Sequence, residues 1–364
     1  MESTVNDFVA EQKKEIVRDK SLDVAKGLLM ASVVAGHIAY FPFAEMFYYY
    51  HVAGFFLLSG FFFNYDKYAN SFISFIFSRK KILTQYFSYS LLFILLHNHF
   101  VSLNILPENA VEYTTSDMML AFINSITIPS EPLLGAMWFI PVLVIMQIIF
   151  YTINKASKIF TNSNLLPTIL IVFLFFFGWW LVKSKYISDN INLYRNIPNA
   201  QFFVYLPFFY IGYLFKDYGL SLLKSKNILV PCLTIMLLTY IYLRPALYLY
   251  GETDPFLFIF LSLISIAVVI GASHYIKTSI VVNFLKYIGE NTVHILALHF
   301  LFFKVGSFIL IRNNILNENS LHTLGTAPGV GLLAKMLYLF CGILGPLLVL
   351  FYSTKMKRLV FKTA

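Results

Sequence analysis

A lysine and a histidine eleven positions apart mark the first apolar stretch of this chain, Lys26-Gly-Leu-Leu-Met-Ala-Ser-Val-Val-Ala-Gly-His37. On one helix they stand roughly 16 Å apart, too far to touch but suited to the two ends of one long substrate. The lysine can hold an anionic group, and a neutral imidazole is the usual general base near neutral pH. His51 and His299 fall in other apolar stretches, where an ionisable side chain is expensive and marks a functional site by default. Asn291, eight residues before His299, adds a carboxamide able to orient a base or polarise a carbonyl.

Membrane helices must position these residues. The 364 residues are 59% hydrophobic, 18% aromatic and only 12% charged, where an ordinary soluble domain is about a quarter charged. The expected fold class is all-α, a polytopic membrane protein. A spanning helix needs about 20 mostly apolar residues. Ten segments meet that description, at 22–43, 46–64, 83–101, 133–153, 165–182, 201–215, 227–250, 255–276, 289–311 and 330–352. The sixth is short and carries Tyr205-Leu-Pro-Phe-Phe-Tyr-Ile-Gly212, which predicts a kinked helix lining the interior. Residues 1–21 are expected to form a charged cytoplasmic arm, not a cleavable signal, and residues 22–364 a single transmembrane domain.

Taken alternately, the loops place 20 of the 27 lysines and arginines on one side and five on the other, with Lys304 and Lys335 inside segments. That asymmetry predicts two cytoplasmic termini. The 102–132 loop carries Glu108, Glu112, Asp117 and Glu131 but no cation, so it reads as an outer loop with an interfacial helix over 117–128. In this orientation His37 lies roughly 22 Å into a ~30 Å core, His51 roughly 7 Å from the outer edge and His299 near the midplane. Any one of them could simply join two helices by a hydrogen bond. Three at one level read as a site.

The opposite, cytoplasmic level is basic. Arg18, Lys20, Asp23 and Lys26 open the first helix and Arg79-Lys80-Lys81 precede the third. Topology alone would place cations there, but Lys26 lies inside the apolar run with Asp23 one turn away to orient it, which suits a phosphate site. The net charge of +9 fits a basic membrane protein and no nucleic-acid partner is expected. Cys232 and Cys341 sit in apolar runs and support neither a disulfide framework nor a thiolate metal site. His97 and His99 lack further ligands nearby in the sequence and read as interfacial anchors, His274 and His322 as surface residues. No metal is expected.

The pattern Arg18-x4-Asp23-x2-Lys26-Gly27-x9-His37 followed by His51-x2-Gly54-Phe-Phe-Leu-Leu-Ser59-Gly60 resembles the opening of the acyltransferase family 3 membrane proteins. Further islands agree: Arg79-Lys80-Lys81, Gly135-Ala-Met-Trp138-Phe139-Ile-Pro141, and Tyr287-Ile-Gly-Glu290-Asn291 through His299. Where the family carries Arg-x-x-Arg before the third helix, this chain reads Lys81-x-x-Thr84. The resemblance implies an O-acyltransferase of the bacterial inner membrane. It would take acetyl, or a similar acyl group such as succinyl, from cytoplasmic acetyl-CoA to a hydroxyl of an envelope glycan or lipid-linked sugar.

Acyl transfer to an alcohol needs a base, donors for the oxyanion and a grip on the acyl donor. On this reading His37 is the base, with His51, Asn291 and His299 orienting it or polarising the thioester. Arg18, Asp23, Lys26 and Arg79-Lys80-Lys81 form the CoA-phosphate region, and Trp138 stacks on the acceptor sugar. Ser59 as an acyl-enzyme nucleophile is the mechanistic alternative, although Ser59-Gly60 also reads as a small pair at a helix crossing. An exporter of an envelope precursor is the functional alternative, since intramembrane histidines also suit proton-coupled carriage.

Overall fold

The structure, a computed structural model, describes residues 20–160, 163–183, 201–218, 222–247 and 253–360. Arg18 and the rest of the N-terminal arm lie outside the described residues. The described chain is helical and contains no strand. Each of the ten predicted segments lies on a helix, and five of these are long and apolar enough to cross a membrane: Pro132–Phe160, Leu165–Lys183, Pro255–Tyr275, Thr292–Arg312 and Leu332–Met356.

Helix α1, Lys20–Gly36, ends seven residues earlier than the apolar run predicts. His37 is thus in the turn beyond it, its N–H still donating to the carbonyls of Val33 and Val34. Pro42 disfavours helical backbone before it, and Tyr40 and Phe43 take left-handed φ angles of 52° and 62°, which ends the run. A short helix α2, Ala44–Phe47, leads into α3, His51–Phe61, whose eleven residues rise only about 16 Å. The third predicted segment is α5, Lys80–Ser102, preceded by α4, Phe72–Ser78. The predicted interfacial helix is α6, Thr115–Asn124, begun by a Thr114–Asp117 capping box. A 3-10 stretch, Pro132–Trp138, runs into α7, Phe139–Phe160.

The second half comprises α8, Leu165–Lys183; α9, Gln201–Tyr218, with Pro207 inside it; α10, Lys226–Tyr242; and α11, Pro255–Tyr275. Helix α12, Ser279–Glu290, has no counterpart among the predicted segments, being twelve residues long and amphipathic. Asn291 breaks it from α13, Thr292–Arg312, and α14 is Leu332–Val360.

Two clusters of buried side chains form the core, and α1 lies between them. Leu22, Ala25 and Leu29 join the cluster of α3, α7, α8, α9 and α11, whereas Val24, Met30, Val33 and Val34 join that of α5, α12, α13 and α14. Glycines let the helices meet backbone to backbone. A Cβ on Gly27 would stand 2.0 Å from the Leu285 carbonyl oxygen of α12, and one on Gly289 would stand 2.2 Å from that of Asp23. At the α3–α9 crossing, Gly60 faces the Phe209 oxygen at 1.8 Å and Gly212 that of Leu57 at 1.9 Å by the same measure.

The loops at the His37 end are tied down by side chains that would be costly to bury unpaired. Buried Lys304 donates to the carbonyls of Leu321, at 2.8 Å, and Thr323. Lys335 donates to Tyr40 O and the Ala39 N–H to Thr326 Oγ1. His322 donates Nδ1–H to the Leu106 carbonyl at 2.8 Å, so it bridges two loops and is not a free surface residue.

His97 is no interfacial anchor either. It is buried, with Nδ1 2.9 Å from Glu131 Oε2 and its Nε2–H donating to Val111 O at 2.9 Å. Its carboxylate partner lies 34 residues away and was invisible as a local pattern. Burial pushes the Glu131 carboxyl up, against the opposing pull of His97.

The crossings give a direct test. Replacing Gly60 or Gly27 by alanine puts a methyl group into a neighbouring backbone, which side-chain adjustment cannot relieve. Each variant should lose about 2 kcal/mol or more, read as a lower melting temperature of the detergent-purified protein. Gly331, with open space around its would-be Cβ, should tolerate alanine. Glu131→Ala should cost about 1–3 kcal/mol by orphaning His97.

Candidate active site

Two adjoining cavities open at the seam that α1 divides. The first, of about 500 Å³, is polar, with Arg79, Lys81, Gln85, Gln147, Asn291 and His294 in its wall. The second, of about 410 Å³, is walled chiefly by apolar groups and reaches His37, Tyr48, His51 and Trp138. Lys26, Phe55, Ser59, Ile82, Leu143 and Val293 belong to both walls, so a ligand held by the cations can extend past Lys26 to the histidines.

Each cation has a distinct setting. Lys26 pairs with buried Asp23, Nζ to Oδ1 3.4 Å, and lies 4.4 Å from the Phe62 ring centroid. Asp23 therefore orients the lysine from behind. Arg79 donates to Gln147 Oε1 at 3.1 Å and stacks over Phe75 at 5.4 Å, which holds its guanidinium beside the cavity. Lys81 lines the same wall. Lys80 does not: it borders a separate surface groove with Phe77, Leu83 and Phe122, because consecutive helical residues point about 100° apart.

At the other end, the His37 ring stacks on His299, centroids 5.3 Å apart, and against Phe300 at 4.9 Å. His299 is fully buried. Its Nδ1–H is given to the carbonyls of Ile295 and Leu296, both at 3.0 Å, while Nε2 has no protein partner among the described residues. His51 gives its Nδ1–H to Phe47 O at 2.6 Å, and the Tyr48 ring packs against it at 4.8 Å. Carbonyls accept only, so both histidines carry the proton on Nδ1 and keep a lone pair on Nε2. The three predicted histidines thus converge from α1, α3 and α13.

Two predicted residues stand apart from the three histidines. Asn291 lies with the cations, its Nδ2 donating to Tyr287 O at 2.8 Å, away from the chamber that holds His37. Ser59 donates its hydroxyl to Phe55 O at 2.7 Å and is two helical turns, about 12 Å of rise, from His51. Trp138 occupies the junction between the 3-10 stretch and α7 and lines the chamber as expected. His294 went unnoticed in the sequence. It lines the polar cavity, accepts from Gln85 Nε2 at 3.3 Å and donates from Nδ1 to the Tyr89 oxygen at 2.7 Å. Its one sequence signal is the i, i+3 spacing from Asn291, which places both on one helix face.

The arrangement therefore joins a mouth lined by Lys26, Arg79 and Lys81 to a chiefly apolar chamber that ends at His37 and His51. The family model for the acyltransferase domain of acyltransferase family 3 matches residues 19–354. The chain belongs to that family. Comparison with curated proteins and with solved structures found no match. As a family 3 member the protein is a membrane acyltransferase with an acyl donor and an acceptor, and the exporter alternative falls away. Among the described residues no group of three or more histidines, cysteines or carboxylates is placed to hold a metal ion.

The divergent settings of the neighbouring lysines are testable with a simple polyanion. Arg79→Ala and Lys81→Ala should each weaken pyrophosphate binding by about three- to tenfold, the loss of one charge-assisted contact. Lys80→Ala should leave it within about twofold, measured by calorimetry on protein in nanodiscs.

Proposed function

We propose that this protein is an O-acyltransferase of the bacterial inner membrane that moves acetyl from cytoplasmic acetyl-CoA to a hydroxyl of an envelope glycan or lipid-linked sugar. The observation that carries the reading is the pair of adjoining cavities, with cations at one end and His37 and His51 at the other, His299 stacked behind His37. Acetyl and the glycan acceptor follow from the family resemblance. All ten predicted segments cross the bilayer on this reading, the shorter ones within the bundle, and both termini face the cytoplasm.

Arg79, Lys81 and Lys26 hold the CoA phosphates at the cytoplasmic mouth, and Gln85, Asn291 and His294 supply neutral contacts beside them. The pantetheine arm runs past Lys26 and Ser59 into the apolar chamber, over the roughly 16 Å that a helix rises between positions 26 and 37. His37 takes the proton of the acceptor hydroxyl as its oxygen attacks the thioester carbonyl. The tetrahedral intermediate collapses with release of the CoA thiolate, which recovers the proton from His37.

His299 acts by packing against the His37 ring. His51 presents a lone pair to the chamber, so it suits accepting a proton from His37 or from the hydroxyl and does not suit polarising the carbonyl. Trp138, which lines the chamber, carries an indole N–H donor that would suit the oxyanion better, in addition to a ring face for a sugar. The back-bonded Ser59 hydroxyl favours direct transfer over an acyl-enzyme.

His37→Ala should lower acetyl transfer at least about a hundredfold with acetyl-CoA binding unchanged, assayed with labelled acetyl-CoA on purified protein. Retained turnover would remove His37 from the mechanism. Ser59→Ala should keep turnover within about threefold, and its complete loss would restore the covalent route.

A further inference from the structure

A second polar pocket lies far from the cations, in the segment joining α5 to α7. It measures about 490 Å³ and is lined by Tyr113, Asp117, Leu120, Asn124, Pro129 and Ser130 among others. Helix α5 has Lys81 and Gln85 at the cation mouth and His97 and Asn98 beneath this pocket. The rise between Lys81 and His97 is about 24 Å. The pocket therefore belongs to the end of the molecule at which His37 sits.

Its walls are built, not draped. Asn98 exchanges two hydrogen bonds with the backbone of Tyr113, at 2.9 and 2.7 Å. The Tyr113 ring lies flat on His97, centroids 3.5 Å apart and planes 2° apart, and His97 is itself locked to buried Glu131. Ser130 donates to Ala121 O at 2.7 Å, and Tyr86 donates to Ser125 O at 2.7 Å. So many buried polar contacts spent on one connecting segment hold the pocket in shape before any ligand arrives.

The lining selects a chemistry. Among the described residues no lysine or arginine lines the pocket, so these residues offer nothing to a phosphate or a carboxylate. Its single carboxylate is too few for a cation site. Thr114 holds the Asp117 carboxyl below its usual range by two hydrogen bonds to Oδ2, which leaves an ionised acceptor. The half-buried Asn124 carboxamide makes no hydrogen bond among the described residues and can both donate and accept. Tyr113, Leu120 and Pro129 supply apolar surface between these polar groups.

We propose that this pocket is a docking subsite for a neutral, hydroxyl-rich glycan, holding the acceptor chain at a distance from the residue being acylated. The inference rests on the acyltransferase reading for the identity of the acceptor, but binding can be measured without catalysis. The probe is de-O-acetylated neutral glycan released from the envelope of the producing cells, titrated onto His37→Ala protein in nanodiscs. Asn124→Leu should weaken binding about five- to tenfold, the loss of one or two neutral hydrogen bonds, and Tyr113→Leu should weaken it similarly. Acetyl-CoA affinity, measured on the same samples, should not move.

Unchanged glycan affinity in both variants would overturn the subsite, as would an equal loss of glycan and acetyl-CoA affinity, which would mark damage to the fold. If the parent protein binds the glycan but protein with intact His37 transfers no acetyl to it, the subsite stands and the acyltransferase reading falls.

Discussion

The site depends on how closely α1 approaches its neighbours. Lys26 and His37 belong to one helix and its following turn, and that helix is wedged between two hydrophobic clusters. It can be so placed only because Gly27 and Gly289 remove the side chains that would hold α12 away. In lipid, where apolar side chains gain little by leaving the solvent, close van der Waals contact of this kind is a main source of helix association. The α3–α9 crossing at Gly60 and Gly212 does the same for the opposite wall. Ser59 and Lys26, in the shared wall of the two cavities, are each next to one of these glycines in sequence, so the packing constraint and the passage are the same feature.

The polar groups follow a consistent rule. Those that build the frame are paired inward: Lys304 to loop carbonyls, His97 to Glu131, Tyr86 to Ser125 O, Tyr151 to Tyr68 O. The histidines at the His37 end keep capacity in reserve. His51 and His299 each give one proton to a backbone carbonyl and retain a lone pair. Burying a polar atom without a partner costs free energy, and the protein bears that cost at Nε2 of His299, immediately behind His37. Among the described residues the buried hydroxyls of Tyr49, Ser262 and Ser265 share that condition.

Much of this was legible in the sequence. Apolar runs located every membrane-length helix, because a run of about twenty such residues has few other uses, and the convergence of His37, His51 and His299 followed from counting depth along alternating helices. The errors share a cause. His37 lies beyond its helix because Pro42 and two left-handed residues stop the run, which hydropathy does not register. Helix α12 was missed because an amphipathic dozen looks like a loop beside spans of twenty. Lys80 and Asn291 were grouped with their sequence neighbours, but helical rotation and a helix break sent them elsewhere. Glu131 was unreadable as the partner of His97, since nothing local links residues 34 apart.

The two ends of the molecule also differ in how they treat water. On the proposed reading a thioester donor would be lost to hydrolysis if water reached the base, so the histidine chamber would have to stay dry while the cation mouth stays wet. The two ends differ accordingly in composition and in fastening. Charged and amide side chains stop at the level of Lys26, and above it the wall becomes Met30, Val33, Phe55, Phe139, Leu143 and Leu296. Beyond His37, the segment around Thr326 is drawn onto the turn by Lys304, Lys335 and the Ala39 N–H, and a Cβ on Gly325 would stand 3.0 Å from the His37 carbonyl oxygen. Those contacts pack the segment against the turn that carries His37. The proposed glycan subsite, a polar pocket at the same end and separate from the chamber, would hold a large acceptor without opening the chamber to solvent.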